Sequence, residues 1–164
     1  MIDALPRVEL ALDVDAQRLP LAADELARQA AIVLDRAELP GRLSLAIVDD
    51  ASMRTVNRDF HACDEPTDVL AFPLDDPGGT GFSYEVIVSL DTAEREAGAR
   101  GVAPAAELLL YVTHGLLHLA GEDDHEPQAA VRMHARTMVI MTELGHDNAI
   151  AAPDPDEREP GHEN

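Results

Sequence analysis

Residues 104–125 read PAAELLLYVTHGLLHLAGEDDH. Pro104 suits the first turn of a helix and Gly121 its stop, and the residues between form the most apolar helical stretch of the chain. His114 and His118 stand four residues apart within it, so both imidazoles fall on one helix face, about 40° apart around the axis and one turn along it. After Gly121 the chain runs Glu122-Asp123-Asp124-His125, which returns further donors toward the pair.

Working outward from this helix, the periodicities alternate between two and 3.6. Val8, Leu10, Leu12 and Val14 alternate with Glu9, Ala11, Asp13 and Asp15 and predict a strand over 8–14. Leu21–Leu39 carries Leu26, Ala30, Val33 and Leu34 at helical spacing between Pro20 and Pro40-Gly41. Leu43, Leu45 and Ile47 predict a second strand, and Asp49-Asp50 caps a helix with Met53, Val56 and Phe60 on its apolar side. Val69–Phe72 and Glu85–Leu90 predict two more strands around a loop, Asp75–Gly81. Asp91-Thr92-Ala93-Glu94 resembles a capping box for a short helix ending near Gly98. Gln128–Leu144 is a last helix, stopped by Gly145. The expected fold is α+β: a single sheet of about four strands covered by helices, with a zincin-like metal helix. Residues 1–150 form one domain, and the acidic, proline-containing tail 151–164 is expected to be disordered.

Composition restricts the partners. Twelve basic residues, all Arg, oppose 32 acidic ones, for a net charge of −20. A surface that coats nucleic acid nonspecifically is excluded, and no DNA partner is expected. Cys63 is the single cysteine, so no intramolecular disulfide forms. The N-terminus carries no signal-peptide pattern and no apolar run reaches a membrane span, which gives the expectation of a soluble, cytoplasmic protein without a membrane partner.

His114, His118 and a third donor beyond Gly121 match a catalytic zinc site, with three protein ligands and one open position. The residues leave the third donor open among Asp123, Asp124 and His125, with the acids otherwise able to orient a ligating imidazole and Asp124 able to serve as general base. Gly115 occupies the position where an HExxH peptidase carries its catalytic Glu, so a peptidase or amidase reading needs Glu85 or Glu107 instead.

The stretch His114-Gly115-Leu116-Leu117-His118-Leu119-Ala120-Gly121 resembles the HGxLHLxGxDH signature of the YbeY family of metal-dependent endoribonucleases. Asn57-Arg58-Asp59-Phe60-His61 and Asp64-Glu65-Pro66-Thr67-Asp68-Val69-Leu70-Ala71-Phe72-Pro73 are similar to a second family block, and Val86-Ile87-Val88-Ser89 to a third. Three departures stand out. One extra residue precedes His125, His61 replaces the family's Arg, and Tyr84-Glu85 replaces its Gly-Asp. The resemblance implies one zinc ion per chain on His114, His118 and His125, a single-stranded RNA substrate, 16S ribosomal RNA 3′-end maturation, and the small ribosomal subunit or its factors as partners. Arg58 and His61 are the candidate phosphate contacts, with Arg54 one turn before Arg58. The rival readings are a zinc peptidase or amidase, and a non-catalytic assembly factor stabilised by its metal. Cys63 reads as a small buried residue, His134 and His146 as exposed helix-face residues, Glu107 as a surface carboxylate, and Asp68 as a turn former.

Overall fold

A computed structural model describes residues 6–61, 68–74 and 81–146. The expected loop over 75–80, Cys63 with the rest of 62–67, and the expected disordered tail lie outside the described residues. The elements are β1 (Val8–Leu12), a 3-10 turn (Ala16–Arg18), α1 (Ala23–Arg36), β2 (Leu43–Val48), α2 (Asp50–His61), β3 (Val69–Pro73), β4 (Tyr84–Ser89), α3 (Leu90–Arg100), α4 (Pro104–Leu119) and α5 (Pro127–Glu143).

The fold is α+β, with one four-stranded sheet in the order β1-β2-β4-β3. β1 and β4 both run parallel to β2, and β3 closes the edge antiparallel to β4. A parallel pair needs a crossover between its strands, and α1 supplies the one from β1 to β2. Leu43, Leu45 and Ile47 of β2 and Val86 and Val88 of β4 turn to one face, where α1 and α4 cover them. Val48, Ile87 and Leu70 turn to the other, against Met53 of α2.

Ten of the sixteen residues of α4 are buried, which accounts for a helix that is apolar almost all round. The six left at least partly open include His114 and His118. Burial of the helix therefore fixes the direction in which the two imidazoles leave the core.

Several boundaries differ from expectation. β1 stops at Leu12, because the Asp15 carboxylate accepts from Gln17 N–H at 2.9 Å and caps the 3-10 turn. α3 begins at Leu90 rather than after Asp91: its cap is Ser89, whose hydroxyl accepts from Thr92 N–H at 3.2 Å. Asp91, displaced into the first turn, accepts instead from Asp50 N–H and Arg18. Gly98 does not end this helix; the stop is Gly101, in the left-handed conformation at φ 70°.

Candidate metal centre

The two histidines of α4 meet through their outer nitrogens. His118 Nε2 lies 2.9 Å from His114 Nε2, with the ring planes at 75°. This separation is within half an ångström of the about 3.3 Å that two tetrahedral Zn–N bonds impose. His118 Nδ1–H donates to the carbonyl of Glu122 at 3.0 Å. That bond puts the ring proton on Nδ1 and leaves the Nε2 lone pair turned toward His114, the outer support that a ligating imidazole requires.

The same bond is set up by the helix stop. Gly121 adopts φ 97°, and Glu122 N–H returns to Leu117 O at 2.9 Å. The reversal brings Glu122 C=O under His118. Arg136 of α5 then holds the Glu122 carboxylate at 2.9 Å.

Asp124 completes the cluster, with a carboxylate oxygen 3.9 Å from His114 Nε2. His114, His118 and Asp124 have donor atoms within 4.8 Å of one another, and Asp123, Asp124 and His125 form a second group by the same measure. Asp124 belongs to both. The structure thus brings together His114, His118 and Asp124, while His125 joins through Asp124; its ring is 86% exposed and 3.6 Å from Asp123. The donor set fits a borderline divalent ion such as zinc: two imidazole nitrogens of defined tautomer and an adjacent carboxylate.

Burial lowers the His114 pKa from its ordinary value of 6.5, and the neighbouring His118 lowers it further, against the opposing pull of Asp124 and Asp68. The ring is therefore neutral and free to ligate at neutral pH. His146 is shifted in the same direction by burial. For both groups the unfolded chain takes up protons first, so stability is highest above the unfolded value and falls as pH drops from about 6.5 through the lower folded values. The histidine contribution appears as the difference in denaturant midpoint between the metal-free wild type and His146→Asn, which should narrow as pH falls from about 7.5 to about 5.

Other residues singled out from sequence divide sharply. Arg58 is exposed on α2; His61 closes that helix, and its side chain lies outside the described residues. Glu107 is not on the surface: it is 1% exposed and paired with Arg100, whose Nη1 also lies 2.9 Å from its second oxygen. Burial pushes its carboxyl pKa up against the pull of that guanidinium. His146 is no exposed helix-face residue either; it lies beyond α5 and its Nε2–H donates to Gln29 Oε1 at 2.9 Å. Asp68 does bond locally, to Val69 N–H at 2.7 Å, and it also acts electrostatically on His114.

The peptidase reading loses its bases. Strand alternation puts Glu85 on the same sheet face as Ile87, opposite the face that α4 covers. Glu107 is committed to Arg100, and Gly115 points into the sheet, where a Cβ would lie 3.1 Å from Val69 Cγ2.

Comparison with known proteins gives the family. The profile of the family described as Endoribonuclease YbeY matches residues 12–145. The chain belongs to the YbeY family. A YbeY protein named Endoribonuclease YbeY from Moorella thermoacetica is 37% identical over 127 residues, 71% of this chain and 81% of that one. Another of that name, from Paramagnetospirillum magneticum, is 34% identical over 155 residues, 86% and 94% of the two chains. A solution structure of TM1509 from Thermotoga maritima shares the fold, with a TM-score of 0.55 at 23% identity over 92% of this chain and 99% of that one. Glu122 is the contributor that sequence reasoning missed, because it acts through its backbone carbonyl and its side-chain type carries no signal.

Proposed function

We propose that this YbeY-family chain is a zinc-dependent, single-strand-specific endoribonuclease of ribosomal RNA maturation, acting at the 3′ end of 16S ribosomal RNA in the cytoplasm. The observation that carries the reading is the pair of Nε2 atoms 2.9 Å apart, with the His118 tautomer set by Glu122. One zinc ion would be held by His114, His118 and His125, with Asp124, whose donor oxygen groups with the two imidazoles, as the alternative third ligand. Such an ion supplies an acidified water and positive charge against the scissile phosphate.

The remaining work falls to side chains of this chain. Asp124, the carboxylate nearest the imidazoles, takes the proton of the attacking water. Arg58, with Arg54 one turn earlier and His61 one turn later on α2, contacts the RNA phosphates. These few cations work against a net charge of −20. Contact with RNA is accordingly local, and the small ribosomal subunit or its factors deliver the substrate.

Metal content by plasma mass spectrometry, paired with cleavage of a single-stranded RNA, tests the assignment in the wild type, His125→Ala and Asp124→Ala. The expected outcome is about one zinc per chain in the wild type and in Asp124→Ala, and loss of zinc and cleavage in His125→Ala. Asp124→Ala should cut cleavage by about 10²-fold or more with its zinc retained. Zinc lost with Asp124 and kept without His125 would transfer the third ligand to Asp124. A wild type that takes up no metal, even on reconstitution, would overturn the proposal.

A further inference from the structure

α5 carries the one large apolar ridge left open among the described residues. Val131 and Val139 are 63% and 66% exposed and Met138 is 45% exposed, with exposed Ala135 between them. Beside the ridge, a groove of about 240 Å³ is lined by Arg36 at the end of α1 and by Ala135, Arg136, Val139 and Ile140. Its two lining arginines already pair with acids of the chain, Arg36 with Glu143 at 2.8 Å and Arg136 with Glu122 at 2.9 Å, and Arg132, one turn before Arg136, adds an exposed cation beside it. Residues 127–142 contain no acid, in a chain with 32 acids, and include Arg132 and Arg136.

The chain leaves α5 on this same side. His146 is tied to Gln29 of α1, so the exit lies on the seam between α1 and α5 whose other end is the groove. Residues 147–164 follow, outside the described residues and beyond the YbeY match, which stops at 145. This segment carries six acids against one Arg, and Ile150 is its single large apolar residue.

The lengths agree. Val139 is seven residues before His146 in sequence, about 10 Å back along a helix. Ile150 is four residues beyond it, about 13 Å of extended chain. A segment that turned back along the seam would bring Ile150 to the groove and carry Asp154–Glu159 over Arg132 and Arg136.

We propose that the groove is a docking site for the chain's own segment 149–159, with Ile150 against Val139 and Ile140 and the following carboxylates against Arg132 and Arg136. The tether keeps the segment at millimolar effective concentration, so modest contacts hold it. Opposite charge favours this occupant over a second copy of the chain, which would bring its own arginines to the arginines of α5. Arg136 also holds Glu122, so the seated segment abuts the loop that bears Asp124 and His125.

Methyl NMR of the full-length chain tests the proposal. Cross-peaks between the Ile150 methyls and those of Val139 and Ile140 are expected, independent of protein concentration. Ile150→Asp, Arg132→Glu and high salt should each shift the Met138 methyl signal toward one common position and leave buried Met53 unmoved. Arg132 and Met138 are exposed, so substitution at Arg132 leaves the fold intact. Absence of those cross-peaks, with Met138 unchanged by Ile150→Asp, would overturn the proposal. So would cross-peaks seen only between differently labelled chains, which would make the occupant a second copy.

Discussion

Replacing His114 with alanine should abolish RNA cleavage while the fold survives. The side chain sits at the rim of the core and is 40% exposed, and among the described residues its Nε2 lies against His118 and Asp124. Alanine is the best helix former, and removal of a half-exposed ring in α4 costs about 1–2 kcal/mol. Loss of a metal ligand is of another order. If the proposed zinc ion is held there, several kilocalories of transition-state stabilisation would vanish with it, which is about 10³-fold or more in rate. Circular-dichroism melts, zinc content and RNA cleavage, measured on the same preparation, separate the readings. Retained fold with lost zinc and lost cleavage marks a catalytic metal. Unfolding that accompanies zinc loss, with no cleavage in the wild type, marks the non-catalytic assembly factor whose metal is structural.

Gly115→Glu should cripple the protein rather than convert it into a peptidase. A Cβ at this position would lie 3.1 Å from Val69 Cγ2, 3.4 Å from Ala71 Cβ and 3.6 Å from Val86 Cγ1. The missing side chain is what lets β3 and β4 press against α4. A glutamate there both overpacks the interface and buries a charge without a partner, for a cost above about 4 kcal/mol. In a domain of this size that lowers the melting temperature by about 8–16 °C. A stable Gly115→Glu protein, or one that hydrolyses peptides, would mean that the α4–sheet contact is looser than the structure places it.

Much of the fold was legible because burial writes itself into periodicity. Val8-Leu10-Leu12 and Leu43-Leu45-Ile47 alternate, and they are strands with one face on the core. The apolar run from Leu108 to Leu117 is the buried helix. Strand order was not legible. Nothing in β3 states that it pairs antiparallel to β4 at the sheet edge, since that depends on how β2 and β4 associate across the chain. Helix ends missed by a residue or more where a competing acceptor took the cap, as Ser89 did ahead of Asp91.

The candidate site divides in the same way. His114 and His118 follow from sequence alone, because a spacing of four on a helix fixes a shared face whatever surrounds it. Only the tertiary structure shows that Glu107, at the correct helical phase, is spent on Arg100, and that Glu85 lies on the far side of the sheet. It alone finds the Glu122 carbonyl beneath His118, since every residue carries the same carbonyl and only the turn at Gly121 aims this one. Local spacing determined which residues can act together on one helix. Burial and partners, which come from segments distant in sequence, decided which of the remaining carboxylates were left to act at all.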